Sequence, residues 1–409
     1  MIEWSEQHLM IQDMVRRFVE AEIKPRLEEL EHGDLPPYDI LRKMMQTFGM
    51  DEVARQRFAS QIARDKAKAE GKPVKEKGEG GGTDVGMTLI PIVELCRYCP
   101  GMVTAMGVSV GLTSAAIMSK GSIAQKERWA LPLMTLEKIG AWAITEPDSG
   151  SDAFGGMKAT ARRDGNGGYV LNGNKTFITN GPYADTIVFI CKLDDGESTN
   201  KRDRKILSFI LDQGMPGLTQ SKPLRKMGMH SSPTGELFLE NVRVGRERLI
   251  GETEDIPARS GAKDTFSMER SGVAAMALGI VEECLALCID YARTRVAFGK
   301  PIGEFQLIQL KLAKMEVARM NIQNIVFRQI EMAQQGRSMS FAEASATKLY
   351  SAQTCMAVCL EAVQLFGGNG YMAEYRVEQL CRDAKVLQIY GGTDEIQVSA
   401  IARGLLATA

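Results

Sequence analysis

The chain has little histidine, no excess of charge of either sign, and no segment whose hydropathy pattern predicts a membrane span. Its 409 residues include three histidines, and 50 basic residues stand against 51 acidic ones. Proteins that bind nucleic acid through its phosphates usually carry a basic excess, so we expect no nucleic-acid partner. Apolar runs of about 20 residues mark membrane proteins, so we expect no membrane association either. The start, with Glu3 and Glu6, lacks the basic-then-apolar order of a secretory signal, which predicts a cytoplasmic protein.

Two nucleotide-binding fingerprints are also missing. No Gly-x-Gly-x-x-Gly follows a predicted strand, and there is no Walker-type loop, so a nicotinamide cofactor in a Rossmann domain is not expected. The eight cysteines include three closely spaced pairs that are either metal ligands or core thiols, and their helical spacing among apolar residues favours core thiols. These pairs are Cys96/Cys99, Cys284/Cys288 and Cys355/Cys359.

The pattern of apolar residues divides the chain into three parts. Helical spacing dominates the first and last thirds, and residues 159–244 show short strand-like runs broken by turns. This predicts an α+β multidomain fold with an N-terminal helical domain (1–138), a middle antiparallel β-domain (139–253) and a C-terminal four-helix-bundle domain (254–409). The charged stretch 52–70 predicts a solvated helix, and the Gly/Lys/Glu-rich run 71–82 predicts loop or disorder.

Five motifs, in order and with matching separations, resemble segments of the acyl-CoA dehydrogenase family across most of the chain. They are Trp142–Asp152 (WAITEPDSGSD), Asn172–Asn180 (NGNKTFITN), Arg295–Lys300 (RVAFGK) with Phe305-Gln306, Gln364–Tyr371 (QLFGGNGY) and Ile389–Ile396 (IYGGTDEI). One region departs from the family, because 51–86 is charged where members usually have an apolar, Gly-rich segment. How the mouth of an acyl pocket is built there stays open.

The resemblance implies FAD as the cofactor, since protein side chains cannot accept a hydride. In the first two motifs it places Trp142, Ile144 and Thr145 at the edge of the flavin ring, Phe177 over one ring face and Thr179 near the hydride-accepting nitrogen. Phe177 could instead be a core residue of a strand.

Further positions of the resemblance concern the rest of the cofactor. Arg295, Phe298, Gln306 and Gln364 match residues that reach the FAD pyrophosphate and adenine from a neighbouring subunit, and arginine suits phosphate because its planar fork makes two-point contacts. Gly368 would let the backbone approach FAD, and Thr393 and Glu395 would contact FAD in the last motif. Alternatively, Arg295 is a solvated helix residue and Gly367-Gly368 a helix C-cap. A shared site implies a homo-oligomer, and the family is usually tetrameric.

The catalytic base departs from the commonest family pattern. Many members carry Glu where this chain has Gly391, whereas a subset that includes isovaleryl-CoA and long-chain acyl-CoA dehydrogenases places the base on a helix, immediately before an arginine. This implies Glu269 as the base for the α-proton, with Arg270 meeting the CoA portion. The backbone N–H of Gly391 would donate to the thioester oxygen. The remaining substrate positions are Ser267, Ser151, which would also lie near the flavin, and Tyr390.

The predicted activity is α,β-desaturation of an acyl-CoA, with electrons passed to an electron-transfer flavoprotein. Two alternatives stay open: a flavin oxidase that uses O2, and a non-catalytic binding protein of the same fold. The sequence does not distinguish branched, long, cyclic or aromatic acyl groups. Oxygen consumption with acyl-CoA alone would separate the dehydrogenase from the oxidase.

Overall fold

The computed structural model describes residues 3–73, 84–196, 200–255 and 258–407, without the side chains of 258–269. The first part is helical, as predicted, and packs around a core shared with the last part. Its helices are α1 (Glu6–Phe18), α2 (Leu27–His32), α3 (Tyr38–Thr47), α4 (Met50–Ala69), α5 (Val85–Cys96), α6 (Pro100–Met106), α7 (Ser114–Lys120), α8 (Ile123–Gln125) and α9 (Leu131–Met134). Three π-helical stretches, Val19–Ile23, Gly107–Thr113 and Lys126–Ala130, lie between them.

The charged stretch after α3 is a helix, as its composition predicts. Helix α4 is polar around most of its circumference and buries Phe58 and Ile62. These two side chains belong to a core cluster that also includes Trp129 and residues of α7, α9 and the middle part. The predicted loop at 71–82 lies largely outside the described residues.

The middle part is a seven-stranded sheet, and its pairing corrects one detail of the prediction. Its strands are β1 (Gly140–Ala143), β2 (Thr160–Arg163), β3 (Tyr169–Thr179), β4 (Thr186–Leu193), β5 (Ile206–Asp212), β6 (Leu218–Gln220) and β7 (Thr234–Val244). The order is β1-β4-β2-β3-β7-β6, with β5 on the other edge of β4. Strands β1 and β2 both pair with β4 in parallel, so the sheet is mixed rather than antiparallel. Parallel pairing is possible because long stretches of chain separate the paired strands: residues 144–185 lie between β1 and β4, and residues 164–185 lie between β2 and β4.

The last part is the predicted helix bundle. Its helices are α10 (Ala258–Thr294), α11 (Gln306–Gln334), α12 (Phe341–Phe366), α13 (Val377–Lys385) and α14 (Asp394–Ala407), and the hairpin β8 (Val296–Ala297)–β9 (Lys300–Pro301) follows α10. Helix α10 is central and packs against α5, α11, α12 and α13. All eight cysteines are free thiols and seven of them are buried, which confirms the prediction of core thiols.

The expectation that the chain has no stretch long and apolar enough to span a membrane was wrong. Three stretches are long and apolar enough to cross a bilayer: Pro100–Lys120, Arg270–Thr294 and Phe341–Tyr371. The second is 72% buried inside the protein. A helix that is apolar on every face is either a membrane span or the centre of a protein core. Its packing against four other helices makes Arg270–Thr294 a core helix.

A buried cluster of charged groups lies where the three parts of the chain meet. Glu31 in α2 and Asp383 in α13 are almost completely buried, and Lys226 approaches them from the loop before β7. Burial, and then the charge of Asp383, raise the pKa of Glu31 to about 8. Burial also raises the pKa of Asp383 and lowers that of Lys226 to about 8. Between pH 4.5 and about 8, Glu31 is therefore protonated in the folded chain and ionised in the unfolded chain.

We expect Glu31→Gln to stabilise the protein at alkaline pH. The pKa of Glu31 rises from its ordinary value of 4.5 to about 8 in the folded state. The stability it contributes is therefore complete below pH 4.5 and is lost as the pH rises towards 8. Glutamine does not ionise, so the variant should gain roughly 2 kcal/mol over the parent at pH 8.5. Urea denaturation at pH 5 and pH 8.5 measures the gain.

Glu28→Gln is the matched control, because Glu28 is an exposed acid in the same helix. It should leave the denaturation midpoint nearly unchanged at both pH values. A Glu31→Gln protein no more stable than the parent at pH 8.5 would show that Glu31 ionises without cost in the folded state.

Candidate active site

The first motif, which the resemblance places at the flavin ring, leaves the sheet at the end of β1. Trp142 lies in β1, and Ile144 and Thr145 follow the strand directly; all three are half-buried. Ser151 lies in the turn beyond them and is exposed. Backbone and side-chain atoms of these residues can therefore contact a ligand that lies along the edge of the sheet.

The second segment forms the last part of β3 and meets the first segment edge to edge. The backbone N–H of Thr176 donates to the carbonyl of Thr145 over 3.0 Å. Phe177 has a φ of 56° at an irregularity in the pairing of β3 with β7. This backbone turn leaves its ring 69% exposed, so Phe177 is not a core residue of the sheet. Thr179, two residues on, is half-buried.

A tight glycine turn precedes α14. Gly391 and Gly392 have φ values of 62° and 94°, a conformation that favours glycine. Gln397 Nε2 donates to both of their carbonyls, at 3.1 Å and 2.7 Å. A Cβ on Gly392 would lie 2.8 Å from the same Nε2 atom. Larger residues would strain this turn.

Arg270 connects α10 to the glycine turn. Its Nε donates to the carbonyl of Gly391 at 3.3 Å and its Nη1 to Ser345 Oγ at 2.9 Å. Its guanidinium also stacks 4.2 Å from the centre of the Phe341 ring. Arg270 is only 4% exposed. This placement favours a role in holding the turn over the predicted direct contact with CoA.

The side chains of Glu269 and Ser267 lie outside the described residues. Their backbone belongs to α10, and Glu269 directly precedes Arg270. The contact between Arg270 and Gly391 therefore brings the backbone of position 269 close to the glycine turn. Tyr390 directly precedes Gly391 in the chain and is half-buried. Its hydroxyl lies 3.3 Å from Met276 Sδ of α10.

A second group of predicted FAD residues lies at the other end of α10. Its members are Arg295, Phe298, Gln306, Gln364 and Gly368, and all of them are exposed. The Phe298 side chain is 96% exposed. Tyr291 joins the end of α10 to the turn that holds Gly368, since its hydroxyl donates to the carbonyl of Phe366 at 3.4 Å and accepts from Asn369 Nδ2 at 2.9 Å.

The two groups of predicted cofactor residues are well separated within one chain. Helix α10 runs without a break between them, so Arg270 and Thr294 lie about 36 Å apart along its axis. Thr393 and Glu395 flank the start of α14 and lie with the glycine turn, not with the group around Arg295. One dinucleotide does not span both ends of this helix in the same chain.

Comparisons with known proteins match all three parts. The family descriptions are "Acyl-CoA dehydrogenase, N-terminal domain" (residues 5–54 and 51–137), "middle domain" (141–242) and "C-terminal domain" (260–406). The chain belongs to the acyl-CoA dehydrogenase family. This confirms the resemblance and the predicted fold class, and makes the protein an FAD-dependent oxidoreductase. The N-terminal family model matches in two pieces that meet near the start of α4, where the charged stretch begins.

Among its relatives, the dehydrogenase is 39% identical to "Acyl-CoA dehydrogenase, short-chain specific" of Megasphaera elsdenii over 81% of this chain and 85% of that protein. The solved structure of butyryl-CoA dehydrogenase from Megasphaera elsdenii is 33% identical over 99% of both chains, with a TM-score of 0.81. A chain solved under the description "Electron transferring flavoprotein of Acidaminococcus fermentans: Towards a mechanism of flavin-based electron bifurcation" is 31% identical over 99% of both chains, with a TM-score of 0.80.

The residues of this acyl-CoA dehydrogenase fit its cofactor. An exposed aromatic ring, Phe177, stands beside three half-buried residues, Trp142, Ile144 and Thr145, as a planar apolar ring with polar edges requires. Bound FAD supplies the acceptor for a hydride. In such a site Phe177 would cover the ring, and Trp142, Ile144 and Thr145 would supply its polar edge.

One residue of the site escaped sequence reasoning although it ends the second motif. Asn180 is fully buried with a φ of 63°, and its Nδ2 donates to the carbonyls of Ala105 and Gly140 at 2.9 Å each. Its Oδ1 accepts from Tyr38 at 3.0 Å. Asn180 thus ties β3 to the N-terminal helices. The sequence does signal this position, because asparagine at the end of a strand motif tolerates a positive φ more readily than most residues.

Proposed function

We propose that Glu269 removes the α-proton of an acyl-CoA and that the Gly391 amide donates to the thioester oxygen. The observation that carries this proposal is the hydrogen bond of Arg270 to the Gly391 carbonyl, because it ties the helix turn of the base to the glycine turn. A base and an amide donor on opposite sides of one thioester would polarise it during proton removal. Loss of the α-proton then allows the β-carbon to release its hydride.

The cofactor residues are proposed as two sets from different subunits. Trp142, Ile144, Thr145, Ser151, Phe177 and Thr179 hold the ring end, with Thr393 and Glu395 beside the glycine turn. Arg295, Phe298, Gln306, Gln364 and Gly368 serve the pyrophosphate and adenine end. The length of α10 between the two sets supports this division, since one chain cannot bring both to the same FAD. A homo-oligomer, with four subunits as the proposed number, follows from it.

For the substrate, the proposed positions are Ser151, Ser267 and Tyr390, with Arg270 as the residue that positions the turn. Electron-transfer flavoprotein is the proposed acceptor; the similarity to a chain solved under a description that names such a flavoprotein supports it. We also propose domain boundaries at 138/139 and 253/254, and a cytoplasmic location. Short straight-chain acyl groups are the first candidates, because relatives are described as short-chain specific.

We expect anaerobic addition of the correct acyl-CoA to bleach the flavin absorbance of the holoenzyme. A panel should include butyryl-, isovaleryl-, palmitoyl-, cyclohexanecarboxyl- and phenylpropionyl-CoA, because the sequence leaves the acyl group open. Reoxidation of the bleached enzyme by electron-transfer flavoprotein, with slow reoxidation by O2, supports the dehydrogenase. Fast peroxide formation would identify an oxidase instead. A holoenzyme that no thioester bleaches would contradict the proposed substrate class.

A further inference from the structure

A buried ion pair lies directly behind both flavin segments. Lys175 precedes Phe177 by two residues in β3, and Glu146 follows Thr145 directly. The two side chains are 0% and 4% exposed. Charged side chains are rarely buried so completely unless they are paired. The position of the pair, between the two segments that face FAD, suggests that it serves the site.

Both side chains of the pair have further partners in the two segments or next to them. Lys175 Nζ donates to Glu146 Oε1 and to the carbonyl of Ile144, both at 2.9 Å. The Glu146 carboxylate also accepts the backbone N–H groups of Lys158, at 2.6 Å, and Ala159, at 3.0 Å. The ammonium group thus joins the first segment to the second, and the carboxylate joins both to the start of β2.

These bonds fix the direction of the peptide that follows Ile144. In a trans peptide the carbonyl and the next N–H point in opposite directions. The Ile144 carbonyl points to Lys175, so the Thr145 N–H points away from the buried pair. The Thr145 carbonyl accepts from Thr176, which fixes the next peptide as well. The orientation of the amide edge at Thr145 therefore depends on Lys175.

We infer that Lys175 and Glu146 are positioning residues for FAD: the pair sets the direction of the Thr145 amide and the spacing between that amide and the Phe177 ring. Stability alone does not account for the pair, because apolar residues of similar volume often replace a buried ion pair without loss of stability. The inference rests on the proposed assignment of the 142–145 and 176–179 segments to the flavin ring.

The test is the double variant Lys175→Met/Glu146→Gln, compared with the parent holoenzyme. It removes both charges together, so no unpaired charge stays buried. The Glu146 carboxylate accepts from Lys158 through Oε2 and from Ala159 through Oε1, so the single amide oxygen introduced at position 146 keeps one of these two bonds. We expect its urea midpoint to fall only modestly below that of the parent. We expect FAD to dissociate roughly 10-fold more readily, measured as recovered free-flavin fluorescence on dilution. The visible circular dichroism of the flavin that stays bound should also change.

Lys158→Met is the matched control. Lys158 belongs to the same region and pairs with Asp148 at 2.6 Å, but the two side chains are 72% and 70% exposed. Removing its charge should leave FAD retention and the flavin spectrum unchanged. A double variant that unfolds at lower urea but keeps FAD and its dichroism as the parent does would overturn the inference, as would one that matches the parent in every respect. A parent protein that fails to bind FAD would instead overturn the function proposed above.

Discussion

Glu269→Gln will keep FAD bound and slow acyl-CoA-dependent bleaching of the flavin by about 10³-fold or more. Glutamine has nearly the same shape as glutamate but cannot accept the α-proton, and a positioned general base contributes roughly 10²- to 10⁴-fold. The protein should fold normally, because glutamine matches glutamate in size and forms helix equally well. Anaerobic stopped-flow absorbance with a saturating thioester measures the bleaching rate, and the flavin content of the purified variant reports cofactor retention.

Glu282→Gln is the control for this experiment. Glu282 lies further along the same helix, and burial, followed by the charge of Glu94, raises its pKa to about 7. A perturbed pKa alone would therefore make Glu282 a candidate base. Its charged neighbours are Glu94, Arg97, Arg319 and Arg16, on the side of α10 that faces α5 and α11. Glu282→Gln should bleach at the parent rate, and a reversed pattern between the two variants would assign the base to Glu282.

The helices and the order of the parts could be predicted because the apolar periodicity of each long helix is local in sequence. Parallel pairing of β1 with β4 could not, since it joins Gly140 to Thr186 across a long stretch of chain. The sequence predicts both strands as short apolar runs, but whether they pair in parallel or antiparallel depends on the connections between them. The exposed ring of Phe177 follows from the resemblance and not from the alternation of side chains along β3, which a positive φ interrupts at this residue.

The motif positions of the candidate site could be predicted from residue types and spacing, but their partners could not. Lys175 in a strand motif reads as a solvent-facing residue, and only the fold shows that it pairs with Glu146. Arg270 reads as a ligand-binding cation, whereas packing of α10 against α12 buries it beside Ser345. Side-chain direction on a buried helix depends on neighbouring elements, and one sequence does not specify those contacts.

Arg270→Lys should leave the fold intact and lower kcat by roughly 10- to 100-fold. Lysine keeps the charge but offers one nitrogen where arginine places two separate donors, Nε at the Gly391 carbonyl and Nη1 at Ser345 Oγ, so it does not reproduce both contacts in this geometry. The glycine turn would then lose one of the donors that hold its carbonyl, and the Gly391 amide would no longer stay in place beside the thioester. Because the loss concerns orientation in the transition state, kcat should fall more than KM rises.

Arg376→Lys separates this effect from a general loss of stability. Arg376 is a half-buried arginine that also stacks on an aromatic ring, with its guanidinium 4.3 Å from the centre of the Tyr98 ring. It donates to the Arg97 carbonyl and pairs with Glu283 at 2.7 Å, away from the glycine turn. Arg376→Lys should lower the urea midpoint about as much as Arg270→Lys does and leave kcat near the parent value. If the two variants lose kcat equally, Arg270 supports the fold in general and does not position Gly391.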